Sequence, residues 1–114
     1  MSSPVSSDGT DRATTKRQRL ENPSGFLHLA RHESVPLVID ALLDLPPGRE
    51  VNKTELADHA GVTRQTVGAH VDLLVETEVL EPVPGTTPTR YRLAESAVVR
   101  ELLELNSALG AATE

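Results

Sequence analysis

Leu56-Ala57-Asp58-His59-Ala60-Gly61-Val62-Thr63-Arg64-Gln65-Thr66-Val67 is the stretch that decides how this chain folds. Ala57 is small where two helices must cross closely, and Gly61 supplies the positive φ that ends the first of them. Thr63 is placed to cap the second helix. Val62 fills the angle between the two, and Val67 anchors the second onto the first. Upstream, Asn52 followed three residues later by Glu55 resembles a capping box with Asn in place of Ser or Thr. It predicts a helix of about eight residues that buries Leu56, Ala57 and Ala60. Downstream, Val67, Val71, Leu74 and Val75 recur at helical spacing and predict a helix over 63–77 with one apolar stripe.

Working outward, Val35, Val38, Leu42 and Leu45 lie at gaps of three, four and three, one face of a helix that Ser34 can cap and that tolerates Pro36 in its first turn. Asp40 and Asp44 fall on the opposite face, and Pro46-Pro47-Gly48 stops the helix. Glu50–Asn52 is expected as a one-bridge strand. Leu80–Pro84 and Thr89–Leu93 read as two short strands around Gly85-Thr86-Thr87-Pro88. Because Pro82 and Pro84 cannot donate to a ladder, the first of these strands is expected to be an edge or irregular. Glu95–Leu109 forms a last helix with Val98, Leu102, Leu105 and Leu109 on one side, widened by Val99 and Leu103. The order is helix, strand, helix, helix, two strands, helix: a mainly α chain with a small β-hairpin.

At 114 residues the chain has room for one domain. Residues 1–24, rich in Ser, Thr, Asp and Arg without apolar period, read as a disordered tail. The ordered domain is expected over 25–110, opening with a short turn at Phe26, Leu27 and Leu29, and 111–114 as a second tail. With no cysteine, disulfides, thiolate nucleophiles and cysteine-ligated zinc are excluded. No apolar run reaches the roughly 18 residues of a membrane span and no signal-peptide pattern opens the chain, so a soluble, cytoplasmic protein with no membrane partner is expected. The net charge is −6, with nine Arg but only Lys16 and Lys53 among the lysines, and Phe26 and Tyr91 the only aromatics. That acidic, lysine-poor balance suits either a protein working in molar salt, where the Debye length falls to about 3 Å, or a mildly acidic protein with a protein partner. In the tail, Arg12, Lys16, Arg17 and Arg19 against Asp8, Asp11 and Glu21 leave +1, so the remaining ninety residues carry −7. The basic cluster is either a DNA-touching arm or a solvated tail.

The twelve-residue stretch has the form of a helix-turn-helix. Followed by Thr66-Val67-x-x-His70-Val71-x-x-Leu74, Val79-Leu80 and a hairpin, it resembles the winged helix-turn-helix regulators of prokaryotes, especially the small single-domain ones common in halophilic archaea. The resemblance covers about Glu33 to Leu109. It implies a sequence-specific regulator of transcription that binds double-stranded DNA, with helix 63–77 in the major groove and the wing, 80–93, at the flanking groove. With Val67, Val71 and Leu74 inward, Arg64, Gln65, Gly68, Ala69 and Asp72 face out. Arg64 can pair with guanine and Gln65 with adenine, while Gly68 and Ala69 allow close approach. Lys53, Thr54, Thr63 and Thr66 sit near helix N-termini, where phosphates are commonly met. Alternation turns Arg90 and Arg92 outward on the wing, either to DNA or simply to solvent. His70 sits where the family often carries a histidine. Where such regulators usually place a glycine near the end of the recognition helix, this chain has Thr77-Glu78. The heptad-like seam of Val98, Leu102, Leu105 and Leu109 resembles the helix through which many such regulators form homodimers; the alternative is packing onto its own domain.

Other chemistry finds little support. His28 and His32, four apart beside Glu33, make an incomplete metal site, and no metal or other cofactor is expected. No glycine-rich phosphate loop, triad or close carboxylate pair points to an enzyme. The competing function is a winged helix that binds other proteins without reading DNA, for which larger apolar residues should be exposed on the third helix. A small-molecule effector is not legible in the sequence.

Overall fold

The computed structural model describes residues 7–114, with side chains from residue 11 onward. The chain divides into two compact units between His32 and Glu33. The first contains helices α1 (Ser7–Glu21) and α2 (Phe26–Ala30). Helix α1 corrects the expectation of a structureless tail over 1–24, of which Met1–Ser6 lie outside the described residues. The segment has no apolar stripe to advertise a helix. Ala13, Lys16, Arg17, Gln18, Arg19 and Leu20 are nevertheless good helix formers, and Arg19 in the last turn complements the dipole. The Arg31 guanidinium donates to the Leu20 carbonyl at 2.6 Å near the end of α1. Phe26–Ala30, placed by the sequence at the head of the main domain, therefore belongs to this first unit.

The second unit has the expected element order. It runs α3 (Ser34–Leu43), α4 (Lys53–Ala60), α5 (Arg64–Glu76), β1 (Leu80–Val83), β2 (Arg90–Leu93) and α6 (Ala97–Ala112). Helix α3 packs on α4 and α5 and reaches β2. The core gathers Val35, Val38 and Leu42 from α3, Leu56 and Ala57 from α4, Val67, Val71 and Leu74 from α5, Val51, Val79, Leu80 and Tyr91 from the strands and joints, and Val99 from α6. Ile39 and Ala41 are buried beyond the expected stripe, while Leu45 and Ala60 are half-buried. Ser34 does not cap α3: Glu33 holds the cap position in a helical conformation with no side-chain bond. The final helix runs to Ala112, three residues past the expected end and into the expected tail.

The hairpin pairs β1 and β2 antiparallel, with Leu80 opposite Leu93 and Pro82 opposite Tyr91. Val51 forms the expected bridge on the other side of β2, exchanging both backbone bonds with Tyr91 at 2.7 and 2.8 Å. Tyr91 thus spends its N–H and C=O on Val51. Pro82 sits at a position of the β1–β2 ladder where no donor is required, which is why a proline is accommodated there.

Helix α5 ends in a Schellman motif. The Val79 N–H donates to the Leu74 carbonyl at 2.9 Å and the Glu78 N–H to the Val75 carbonyl at 3.1 Å, with Leu74 and Val79 both fully buried. The residue that turns the chain is Glu78, at φ 65°. This is the place where the regulators that the sequence resembles were expected to carry glycine: the left-handed turn is present, made by a residue with a Cβ. Left-handed backbone costs an L-residue about 1–2 kcal/mol, and the larger unfolded-state entropy of glycine returns about 0.5–1 kcal/mol. Glu78→Gly is therefore expected to raise stability by about 0.5–1 kcal/mol in urea denaturation; a loss of stability would show that the glutamate side chain holds the turn.

Candidate nucleic-acid interface

Among the described residues the core contains no buried polar or charged side chain, so the polar side chains that could carry chemistry lie at or near the surface. The head of α4 is built as the sequence predicts. Asn52 accepts from the Glu55 N–H at 2.8 Å and the Glu55 carboxylate accepts from the Asn52 N–H at 2.9 Å, closing the capping box. Gly61 ends the helix at φ 77°. Thr63 caps α5 by accepting from the Thr66 N–H at 3.0 Å, and the two hydroxyls lie 2.9 Å apart. The two helices leave this turn with their orientation set by Val67, fully buried, and Leu56, 1% exposed.

Burial of Val67, Val71 and Leu74 leaves Arg64, Gln65, Gly68, Ala69 and Asp72 exposed, as expected, with Thr66 half-buried. Gly68 is notable for what surrounds it. A Cβ added there would meet nothing within 4 Å, so no contact within the chain requires glycine, although glycine inside a helix costs about 1 kcal/mol against alanine. His70 is half-buried on the same helix. Lys53, Thr54 and Arg64 line a shallow cleft of about 140 Å³ where the heads of α4 and α5 meet Pro88 and Thr89 at the wing. The structure thus brings together Lys53, Thr54 and Arg64 from the expected set, with Thr63 and Gln65 adjacent in the chain. Among the described residues neither Lys53 nor Arg64 has an ion-pair partner.

The wing arginines differ. Both are half-buried and both are engaged within the chain. The Arg90 guanidinium donates to Glu55 at 3.0 Å and to the Glu50 carbonyl at 2.9 Å, with the Glu50 carboxylate 3.8 Å away. Its backbone N–H is held by the Thr86 hydroxyl, which in turn donates to the Val83 carbonyl. Arg92 makes two bonds to one carboxylate oxygen of Glu81, at 3.0 and 3.2 Å. Arg90 therefore fastens the wing to the head of α4, a role that strand alternation alone does not reveal, because its partners lie 35 and 40 residues away in sequence.

The seam residues of α6 are distributed unevenly. Val99 is buried, Val98 and Leu102 are half-buried, and Leu105 and Leu109 are 45% and 55% exposed. From Leu103, itself 44% exposed, to the end, every residue of the helix is exposed. Among the described residues no group of three or more His, Cys, Asp or Glu is arranged around a metal site, and no helix is long and apolar enough to cross a membrane.

The Asn52 N–H and then the Arg90 guanidinium favour the ionised form of Glu55 and hold its carboxyl below its ordinary value of 4.5. A carboxyl depressed in the folded state contributes stability that is complete above pH 4.5 and lost as the pH falls through the lowered value. Glu55→Gln keeps an acceptor for the Asn52 N–H and removes the charge. The gap in melting temperature between the native chain and this variant is expected to be widest near neutral pH and to close below pH 4.5. A gap that stays constant as the pH is lowered would assign Glu55 a purely neutral capping role.

No family model and no curated protein sequence matches the chain. Solved structures with this architecture include NolR from Sinorhizobium fredii, at 18% identity over 95% of this chain and 96% of that one, with a TM-score of 0.54. They also include BigR from Xylella fastidiosa, a transcriptional repressor, at 20% identity over 96% and 97%, with a TM-score of 0.51. Identities this low establish the fold, and with the tri-helical core, the turn at Gly61 and the hairpin that follows α5, the chain has the winged helix-turn-helix fold.

Proposed function

We propose that this chain is a DNA-binding regulator of transcription that acts as a homodimer, with α5 in the major groove and the wing beside it. The observation that carries the reading is the exposed first half of α5. Arg64 and Gln65 are in solvent, and Gly68, whose missing side chain nothing in the protein requires, stands one turn further along. A bidentate guanidinium and an amide suit base edges, and a flat, small-residue face lets the helix sit deep in a groove. Lys53 and Thr54 at the head of α4 would meet the phosphates beside it. Arg90 and Arg92 would reach DNA only by exchanging a carboxylate for a phosphate, so in this proposal they chiefly shape the wing. The similarity in fold to BigR, itself a transcriptional repressor, supports the same direction. The competing reading, a protein-binding module, asks for large apolar residues on α5; the exposed large apolar residues among those described are Leu20, Phe26, Leu37, Leu103, Leu105 and Leu109, none of them on that helix.

Selection of bound duplexes from a random library tests this reading. The native chain is expected to enrich a palindromic site, and Arg64→Ala to lose about 1–3 kcal/mol of specific binding while relaxing one base position in each half. Enrichment of no sequence would promote the protein-binding reading.

The dimer rests on α6. Leu105 and Leu109 are exposed in the single chain although they continue the stripe that begins at Val98 and Leu102. A second copy laid along this face would remove them from water, at about 25 cal/mol per Å² of apolar surface covered. Replacing Leu102 and Leu105 by Asp is expected to give monomers in sedimentation equilibrium with the helical content of the core retained; a dimer that survives would put the interface elsewhere.

A further inference from the structure

The joint between α5 and α6 consists of hydrogen bonds from three consecutive residues. The Ala94 N–H donates to the Val79 carbonyl at 3.1 Å, and the Glu95 N–H to the Glu81 carboxylate at 3.3 Å. The Ser96 hydroxyl donates to the Glu78 carbonyl at 2.6 Å. The same Ser96 oxygen accepts from the Val99 N–H at 3.1 Å and so caps α6. One side chain therefore fastens the start of α6 to the left-handed residue that ends α5. Beyond Val99, the one buried residue of α6, and half-buried Leu102, the helix has no cover from the rest of the second unit among the described residues. Its direction is set at its first turn.

Resting on the reading of the chain as a homodimeric DNA-binding protein, we propose that Ser96 is a positioning residue that fixes the angle between recognition helix and dimer helix, and thereby the spacing of the two half-sites that the dimer accepts. The lever is long. Sixteen residues of α helix extend about 24 Å, so a swing of about 10° at the cap moves the far end by about 4 Å, more than the rise of one base pair. Two recognition helices must enter successive major grooves about 34 Å apart, so a displacement of that size at the dimer face selects a different spacing. The bridge is short and made by a hydroxyl acting as donor and acceptor at once, a combination that a capping carboxylate cannot reproduce.

Ser96→Asp separates the two roles: the carboxylate caps α6 as well as a hydroxyl does, but has no proton to give to the Glu78 carbonyl. Ser96→Thr retains both. Because the chain has no cysteine, Asp72→Cys and Asn106→Cys introduce one label site on α5 and one on α6 for pulsed electron-spin distance measurement, with labelled chains diluted in unlabelled ones. The narrow distance distribution expected for the native joint and for Ser96→Thr should broaden or shift in Ser96→Asp while sedimentation still reports a dimer. On duplexes whose half-sites are separated by stepped spacers, the preference for the best spacer over its neighbours should fall about fivefold per protomer in Ser96→Asp, the factor that loss of one neutral hydrogen bond implies, and be restored in Ser96→Thr. Unchanged distances in Ser96→Asp overturn the positioning role. Changed distances with an unchanged spacer preference overturn its link to spacing. A native chain that enriches no sequence overturns the DNA reading itself, and one that selects only single half-sites overturns its dimeric form, while the label distances still decide whether Ser96 sets the joint.

Discussion

Within a single turn of α5, Val67 is completely buried while Arg64, Gln65 and Gly68 around it remain in solvent. Everything else in the second unit serves that division. Leu56 and Ala57 on α4 and Val35, Val38 and Leu42 on α3 provide the dry surface against which the apolar stripe of α5 is laid. Since a helix buries residues three and four apart together, fixing Val67, Val71 and Leu74 inward fixes the polar face outward with no further instruction. In the proposed reading, recognition by such a helix is a by-product of core packing, and the exposed face is left to vary at little cost to the fold.

The hairpin needs a different kind of restraint, because a two-stranded ribbon is marginal by itself. Here it is held on the Val51 side by the exchanged backbone bonds with Tyr91 and at its outer corner by Arg90, whose guanidinium spans Glu50 and Glu55. Glu55 also closes the capping box of α4, so one carboxylate orders both the head of a helix and the base of the wing. Exposed ion pairs of this kind contribute little individually, commonly under 1 kcal/mol. Their weight lies in geometry, since they hold the wing at a set distance from the helix heads, where Lys53 and Arg64 stand without carboxylate partners among the described residues. The overall charge of −6 is compatible with this arrangement: at the wing, Glu50, Glu55 and Glu81 pair with the structural arginines and leave Lys53 and Arg64 unneutralised at the helix heads.

What could be read from the sequence follows the range of the interaction. Asn52, Gly61 and Thr63 act on residues three or four positions away, and each was legible because cap and turn chemistry is local. The apolar stripes of α3 and α5 were legible for the same reason. Arg90 was read as a residue facing outward, which it is, yet alternation gives a direction and no partner. Ser96 gave no signal at all, because its bridging carbonyl lies 18 residues upstream. Glu78 was visible only as a missing glycine; the chain retained the turn by letting buried Leu74 and Val79 hold a residue that would not choose it. Helix α1 escaped because absence of an apolar period argues against a buried helix, whereas good helix formers can still supply the backbone pattern.

Helix α6 shows where the packing of one chain stops. Helices of this length are marginal in water without a tertiary surface, since nucleation is costly and propagation gains little per residue. The Ser96 cap and the buried Val99 address nucleation at one end, and Leu102 extends the anchorage by about one turn. The remaining turns carry Leu103, Leu105 and Leu109 in solvent with no opposing element from the second unit. A sequence under pressure only to end its domain would have little reason to continue an apolar stripe there. Continuing it makes sense if the missing surface is supplied by a second copy, and the same stripe then does two things: it completes the helix, and it converts the angle set at Ser96 into the separation of two recognition helices.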